Sequence, residues 1–224
     1  MAGFSALIRT KADLADAVER FGIVPLFRNS IPGFSVEEHV APEAWFSAEE
    51  GVWEWKGPVI RETGCAYGKF FGKKAVFVSR SVFPDLANLR RDGYDFDARF
   101  DDGLASYAEQ YLYDLIDTRA PVLTGTLREV GNYKKGGKTG FETVLGRLMH
   151  LCYVLIDDFV YLRDRSGKPY GWGIAQYSTP EKWLGEDFSS AVYRREPAES
   201  EALILRRLKD LTGADDRTLK RFLK

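Results

Sequence analysis

Apolar and polar positions change period several times along this chain, and each change marks an element. From Thr10 the apolar residues Leu14, Val18 and Phe21 recur at helical spacing, with Thr10 placed as an N-cap and Gly22 as a stop. Ile23 to Phe27 reads as a brief extended run, and Pro25 assigns it to a sheet edge or a strand end. After a loop over 29–34, Ser35-Val36-Glu37-Glu38 has the form of a capping box, and Pro42 to Phe46 predicts another helical turn. The stretch from Trp53 to Phe83 is aromatic and irregular, with one strand expected over Ala75 to Val78 and a helix over Ser81 to Arg91 closed by Gly93. Gly103 to Asp117 predicts a helix that packs through Leu104, Tyr107, Tyr111, Leu112 and Leu115.

Residues 121–178 carry the clearest pattern. Pro121-Val122-Leu123 is a short apolar run, and Thr124 caps a brief helix bearing Leu127 and Val130. A turn rich in lysine (Lys134, Lys135, Lys138) leads to Thr139-Gly140-Phe141-Glu142, a capping-box pattern opening a helix. Phe141, Val144, Leu145, Leu148, Met149 and Cys152 fall on one face of it. Tyr153 to Leu162 and Trp172 to Tyr177 then read as strands joined by a basic turn over 163–171. A helix approached through basic residues, beside a basic hairpin, is the layout that sets a helix in a DNA groove and a wing on the backbone. The expected fold class is α+β, a winged helix-turn-helix architecture in tandem winged-helix-like units with β-wing hairpins. The expected division is an aromatic-rich N-terminal unit over 1–100, a winged helix-turn-helix over 101–190, and a C-terminal helical tail over 191–224.

Beyond the hairpin, Thr179-Pro180-Glu181 starts another helix, Arg194 to Glu201 reads as a linker, and Ala202 to Leu211 and Arg217 to Leu223 are amphipathic, the second capped by Asp215 or Asp216. No internal repeat or low-complexity tract is visible.

The 224 residues suffice for one large domain or two small ones, and their formal net charge of −1 means that any nucleic-acid surface is a local patch. The candidate DNA-binding residues are Lys134, Lys135, Lys138, Thr139, Arg147, Arg163, Arg165 and Lys168, diluted by Asp157, Asp158 and Asp164. Cys65 and Cys152 make no disulfide framework, and with His39 and His150 they offer no zinc spacing, so no metal and no cofactor is expected. Arg9, Lys11 and Asp13 interrupt any signal-peptide core, and no apolar run has the length of a bilayer span; the expectation is a cytoplasmic protein without a membrane partner. Gly137-Lys138-Thr139 echoes the end of a phosphate-binding loop but follows a lysine turn instead of a strand, which excludes that reading. Asn29, Trp53, Trp55, Tyr67 and Lys69 make a candidate pocket in which rings accept a base, and Lys73 and Lys74 add to its attraction for an anion.

Several stretches resemble a known family. Gly22 to Phe27, Val52 to Lys56, Ala75 to Pro84, Phe141 to Tyr153, Tyr177 to Glu181 and Glu201 to Leu208 together are similar to the AlkZ-like winged-helix DNA glycosylases, and more closely to their AlkZ-related relatives, over most of residues 10–212. The resemblance implies tandem winged helices that bend around DNA, and excision of alkylated or crosslinked bases. It also implies a Gln-x-Gln or Gln-x-Asp motif on the early strand that positions the attacking water. The matching positions here are Pro25-Leu26-Phe27, and neither Pro25 nor Phe27 can hold a water, so the chain looks like a shortened relative whose catalytic pair is lost or relocated. Catalytic residues are therefore unassigned, and whether the chain is an enzyme stays open. A DNA-binding protein with double-stranded DNA as partner is the first reading. The alternatives are a divergent hydrolase of a modified base or nucleotide, using Glu37, Glu38, Glu54 or Glu62, and a protein-interaction module whose lysines pair with Asp157, Asp158 and Asp164.

Overall fold

Helix α1 (Lys11–Phe21) forms as its cap predicts: Thr10 Oγ1 accepts from the Asp13 amide, Asp13 Oδ2 accepts from the Thr10 amide at 2.9 Å, and Gly22 ends the helix at φ 77°. The computed structural model describes residues 7–45 and 50–224. After α1 the chain runs through β1 (Ile23–Pro25), the single turns α2 (Val36–His39) and α3 (Pro42–Trp45), helix α4 (Val52–Thr63), and strands β2 (Ala66–Phe71) and β3 (Lys74–Val78). Phe46, the expected end of the third of these helices, lies outside the described residues. Helices α5 (Phe83–Arg91) and α6 (Phe96–Asp101) follow. Then come α7 (Tyr107–Arg119), β4 (Val122–Leu123), α8 (Thr124–Val130), α9 (Phe141–His150), β5 (Leu155–Arg163) and β6 (Pro169–Ser178). The chain closes with α10 (Pro180–Leu184), α11 (Glu186–Ala191), α12 (Pro197–Thr212) and α13 (Asp216–Leu223).

The strands form one antiparallel sheet in the order β1-β3-β2-β5-β6-β4. Its two halves repeat one plan. In each, a helix leads to a short strand, then helices, then a hairpin, and the short strand pairs with the second strand of that hairpin: Ile23 opposite Val78, Val122 opposite Tyr177. The halves meet where Tyr67 of β2 pairs with Ile156 of β5. In each half the helix just before the hairpin then lies against the other half's hairpin, α4 on β5 and α9 on β2. The repeat is one of topology, carried by different residues in the two halves, which is why no sequence period betrays it. As Pro25 predicts, β1 is an edge strand.

Several expected boundaries move, each for a local reason. Helix α4 and strand β2 occupy the stretch that reads as irregular. Gly57 and Pro58 interrupt the helical pattern of α4, and a bulge between Gly68 and Phe71 breaks the alternation of β2. Helix α6 is unexpected, although Asp95 Oδ1 caps it by accepting from the Ala98 amide at 2.8 Å. Helix α7 starts from Ser106 and not Gly103, leaving Leu104 and Tyr107 exposed, while Leu112 and Ile116 enter the core. Leu123, not Thr124, is the cap of α8; Thr124 Oγ1 instead donates to the Ala175 carbonyl at 3.0 Å, and Val130 is exposed. The box expected at Thr139 and Glu142 does not form, because Gly140 takes the cap position at φ 81° and Glu142 pairs with Arg128. The apolar face of α9 is buried through Phe141, Leu145, Leu148 and Met149, with Cys152 buried just past its end. Strand β5 starts two residues later than expected and ends one later, and β6 runs longer at both ends, so the turn shrinks to 164–168, where Asp164 Oδ1 accepts from the Ser166 and Lys168 amides. The expected linker is largely helix: Pro197 opens α12, and Ser200 is buried, donating to Asp85 Oδ1 at 2.9 Å.

The C-terminal helices return to the first half. Helix α12 packs on α5, and Phe222 of α13 stacks on Phe71 at 4.8 Å between ring centroids. Arg91 ties the halves together from within. It is fully buried, with its guanidinium bonded to Glu181 Oε1 (2.6 Å), Tyr193 Oη (2.9 Å) and the Cys152 carbonyl (2.8 Å), and held over the Tyr153 ring. Among the described residues no helix is long and apolar enough to cross a membrane.

Candidate nucleic-acid interface

Sheet pairing brings together residues that the sequence separates widely. Lys69 and Lys73, from β2 and the β2–β3 turn, share a cavity of about 610 Å³ with Glu142, Thr143, Gly146, Arg147 and His150 of α9 and with Lys224. Arg147, expected on a DNA-binding helix, and Lys69, expected in an aromatic pocket, thus face the same space. Arg147 is steadied by an ion pair from its Nε to Glu109 Oε1 at 2.9 Å, and Glu109 is itself fixed at the start of α7 by the Ser106 cap. Burial, reinforced by the Arg90 charge, holds the His150 imidazole below its ordinary value, so it adds no full positive charge at neutral pH. Lys224 has no sequence signal, since only the fold brings the end of α13 back to this cavity.

The other basic residues form two further groups. In the lysine turn, Lys134 pairs with Glu129 Oε2 at 3.1 Å, Lys135 is exposed, and Lys138 Nζ lies 3.1 Å from the centre of the Tyr111 ring. Lys138 and Thr139 border a separate cleft with Tyr107 and Tyr111. At the hairpin tip Arg163 donates to the Gly167 carbonyl at 2.8 Å, and Arg165 and Lys168 are exposed and make no ion pair among the described residues. The aspartates expected to dilute these charges are engaged elsewhere. Asp157 is buried against Gln176 Nε2 at 3.1 Å, with its carboxyl pushed up by burial; Asp158 pairs with Arg61; Asp164 closes the turn. Among the described residues none of the three forms an ion pair with a lysine of the basic groups, the pairing that would have added weight to a protein-interaction reading.

The five residues of the expected pocket lie in different places. Asn29 braces its own loop, donating to the Phe34 carbonyl at 2.7 Å and accepting from the Ile31 amide, beside a cavity of about 200 Å³ shared with Pro25, Phe27 and Lys74. Trp55 and Tyr67 are core side chains, Tyr67 against Phe77 at 4.6 Å. Lys69 belongs to the basic cavity. Trp53 alone sits in an aromatic corner, with Phe27 and Trp172 at 6.1 Å and Trp45 at 5.9 Å. Trp172, on the hairpin, is 72 % exposed. Lys56, which no sequence signal marks, lies in that corner with its Nζ 4.4 Å from the Trp53 ring centre and 4.2 Å from that of Phe159. The candidate glutamates have structural partners: Glu37 accepts from the Arg28 amide, Glu38 from Ser35 Oγ and the Gly33 amide, and Glu54 from the Gly51 amide, while Glu62 pairs with Lys11. The hydrolase reading places a carboxylate at a pocket floor beside Trp53, Trp55 or Tyr67, and of these Trp55 and Tyr67 are packed solid.

The molecule is therefore an α+β protein on one antiparallel sheet, with a basic cavity where the two halves meet. It belongs to the AlkZ-related family, whose model matches residues 8–224. No curated protein matches it. Among solved structures it is similar to the DNA glycosylase AlkZ of Streptomyces sahachiroi, at 12% identity and a TM-score of 0.49, over 96% of this chain and 59% of that one. The chain thus spans less than two thirds of the length of that protein.

Proposed function

We propose that the protein binds double-stranded DNA through two tandem winged-helix units, in a role connected with DNA repair. The observation that carries this reading is the cavity beside α9, where Lys69, Lys73, Arg147 and Lys224 gather positive charge on a molecule whose net charge is −1. Each half runs helix, short strand, helices and hairpin in the manner of a winged helix, three helices lying between strand and hairpin in the first half and two in the second, with α4 and α9 as the groove-facing helices and the β2–β3 and β5–β6 turns as wings. The units correspond to 1–100 and 101–190, buttressed by the helices of 191–224. Arg163, Arg165 and Lys168 on the longer wing, and Lys134, Lys135, Lys138 and Thr139 before α9, extend the footprint along the phosphates.

Glycosylase chemistry at the early strand is not part of this reading. Pro25 is paired with Val76 in the sheet, and Phe27 packs in the aromatic corner. Neither side chain can orient a water or take its proton. Buried thiols fit a reducing, cytoplasmic setting: burial pushes both Cys65 and Cys152 up to about 12, so neither is a ready thiolate.

The test is fluorescence anisotropy on plain duplexes across a salt series. Affinity should fall as salt rises, and Lys73→Glu with Arg147→Glu should weaken binding to all sequences alike, with the salt slope reduced by about one for each phosphate no longer neutralised. Unchanged affinity in that double variant would sink the footprint.

A further inference from the structure

We propose that Lys56 is an amine nucleophile that condenses with the ring-opened aldehyde of an abasic deoxyribose, so that the protein captures abasic DNA as an imine. The proposal rests on the DNA-binding reading above.

Lys56 is 8 % exposed, and its environment is not that of a structural lysine. A lysine this deeply placed ordinarily meets a carboxylate. Here the ammonium lies against the faces of Trp53 and Phe159 and makes no hydrogen bond or ion pair among the described residues, the nearby oxygens having other partners. Glu54, two residues earlier on α4, accepts from the Gly51 amide. Asp158 is held by Arg61 and by the Phe159 amide. The Tyr161 hydroxyl donates to the Trp53 carbonyl at 3.4 Å. One turn from Lys56, the indole Nε1 of Trp53 is sealed from solvent and has no acceptor among the described residues. Two donors of one helical turn therefore lie at an aromatic corner in which, among the described residues, neither has an acceptor.

The same corner reaches the surface through Trp172, on the hairpin whose tip carries Arg163, Arg165 and Lys168. Those cations suit phosphates, and the exposed indole suits the stacking of a base next to a missing one. A sugar without its base presents a small aldehyde to the amine, with no base to be accommodated. Desolvation also lowers the amine to about 8, with Glu54 opposing the shift, so part of it is neutral near physiological pH. In the reaction the Nζ lone pair adds to the C1′ aldehyde carbon and the carbinolamine loses its hydroxyl as water. The product is a protonated imine; an added hydride reduces its carbon to a stable secondary amine.

The test incubates the full chain with a duplex bearing one abasic site and with cyanoborohydride, maps adducts by peptide mass spectrometry, and measures anisotropy on the same duplex. A single adduct at Lys56, lost in Lys56→Arg and Lys56→Met, is expected; arginine keeps the ring contacts but forms no such imine, and a thermal melt establishes that each variant is folded. An adduct on another lysine, or equal yield in Lys56→Arg, would overturn the proposal. Binding without any adduct would overturn it while leaving the DNA reading intact. Absence of both binding and adduct would remove the two together.

Discussion

Gly137 shows how much one hydrogen atom decides in the lysine turn. A Cβ there would lie 2.1 Å from the Asn132 carbonyl oxygen, which already accepts from the Lys138 amide at 2.6 Å. Because the obstacle is backbone, Gly137→Ala should destabilise the protein by about 1–3 kcal/mol in urea unfolding and displace Lys138 from Tyr111. Lys56 makes the opposite statement, a residue kept at a cost to stability. Its folded-state value of about 8 lies below the ordinary lysine value near 10.4. The folded chain therefore loses this proton before the unfolded chain does, and the group's penalty is full below about pH 8 and relieved as pH rises toward about 10. Lys56→Met should be the more stable protein at pH 7, by on the order of 1–3 kcal/mol, with the gap to wild type closing across that window in unfolding titrations.

At the scale of elements, the start of α7 matters beyond its own helix. Ser106 Oγ donates to Glu109 Oε2 at 2.7 Å and the Ser106 amide to the same oxygen at 2.8 Å, while the other Glu109 oxygen holds Arg147 of α9. Ser106→Ala should cost about 1 kcal/mol in denaturant unfolding, as removal of a cap does. On the DNA-binding reading it should also weaken duplex affinity, because Arg147 loses a fixed anchor. Loss of stability with unchanged affinity would show that the cap does not reach the interface. The hairpin works by a different rule. Its turn is closed by Asp164, so the basic tip is displayed by a carboxylate that faces its own backbone instead of the neighbouring cations.

At the scale of the whole molecule, the two halves share one sheet and the C-terminal helices close the first of them. Removing residues 197–224 would uncover Phe71, Phe34 and the buried side of α5. The shortened chain should melt at lower temperature and bind a hydrophobic dye; an unchanged melting curve would show that the tail is accessory. The same helices bring Lys224 to the basic cavity, so on the DNA-binding reading truncation should also lower duplex affinity in whatever fraction stays folded.

What the sequence determined by itself is local. The caps of α1 and α13, the edge position of β1 and the buried face of α9 follow from spacing, because they depend on residues within one or two turns. Family membership was legible too, through the order of short motifs along the chain. Local signals misled where a neighbour in space overrode them. Gly140 displaced the Thr139 cap, Gly57 and Pro58 hid a helix that packs closely on β5, and the segment that reads as a linker became a helix on α5. The candidate site was the least legible part. Lys69 and Arg147 stand nearly eighty positions apart and meet only because Tyr67 pairs with Ile156 and α9 then lies on β2. Lys56 is an ordinary charged residue in the sequence; its burial comes from Trp53 on its own helix and Phe159 on a strand of the other half. Charge placement and desolvation are properties of pairs remote in sequence, so only the tertiary structure could decide them.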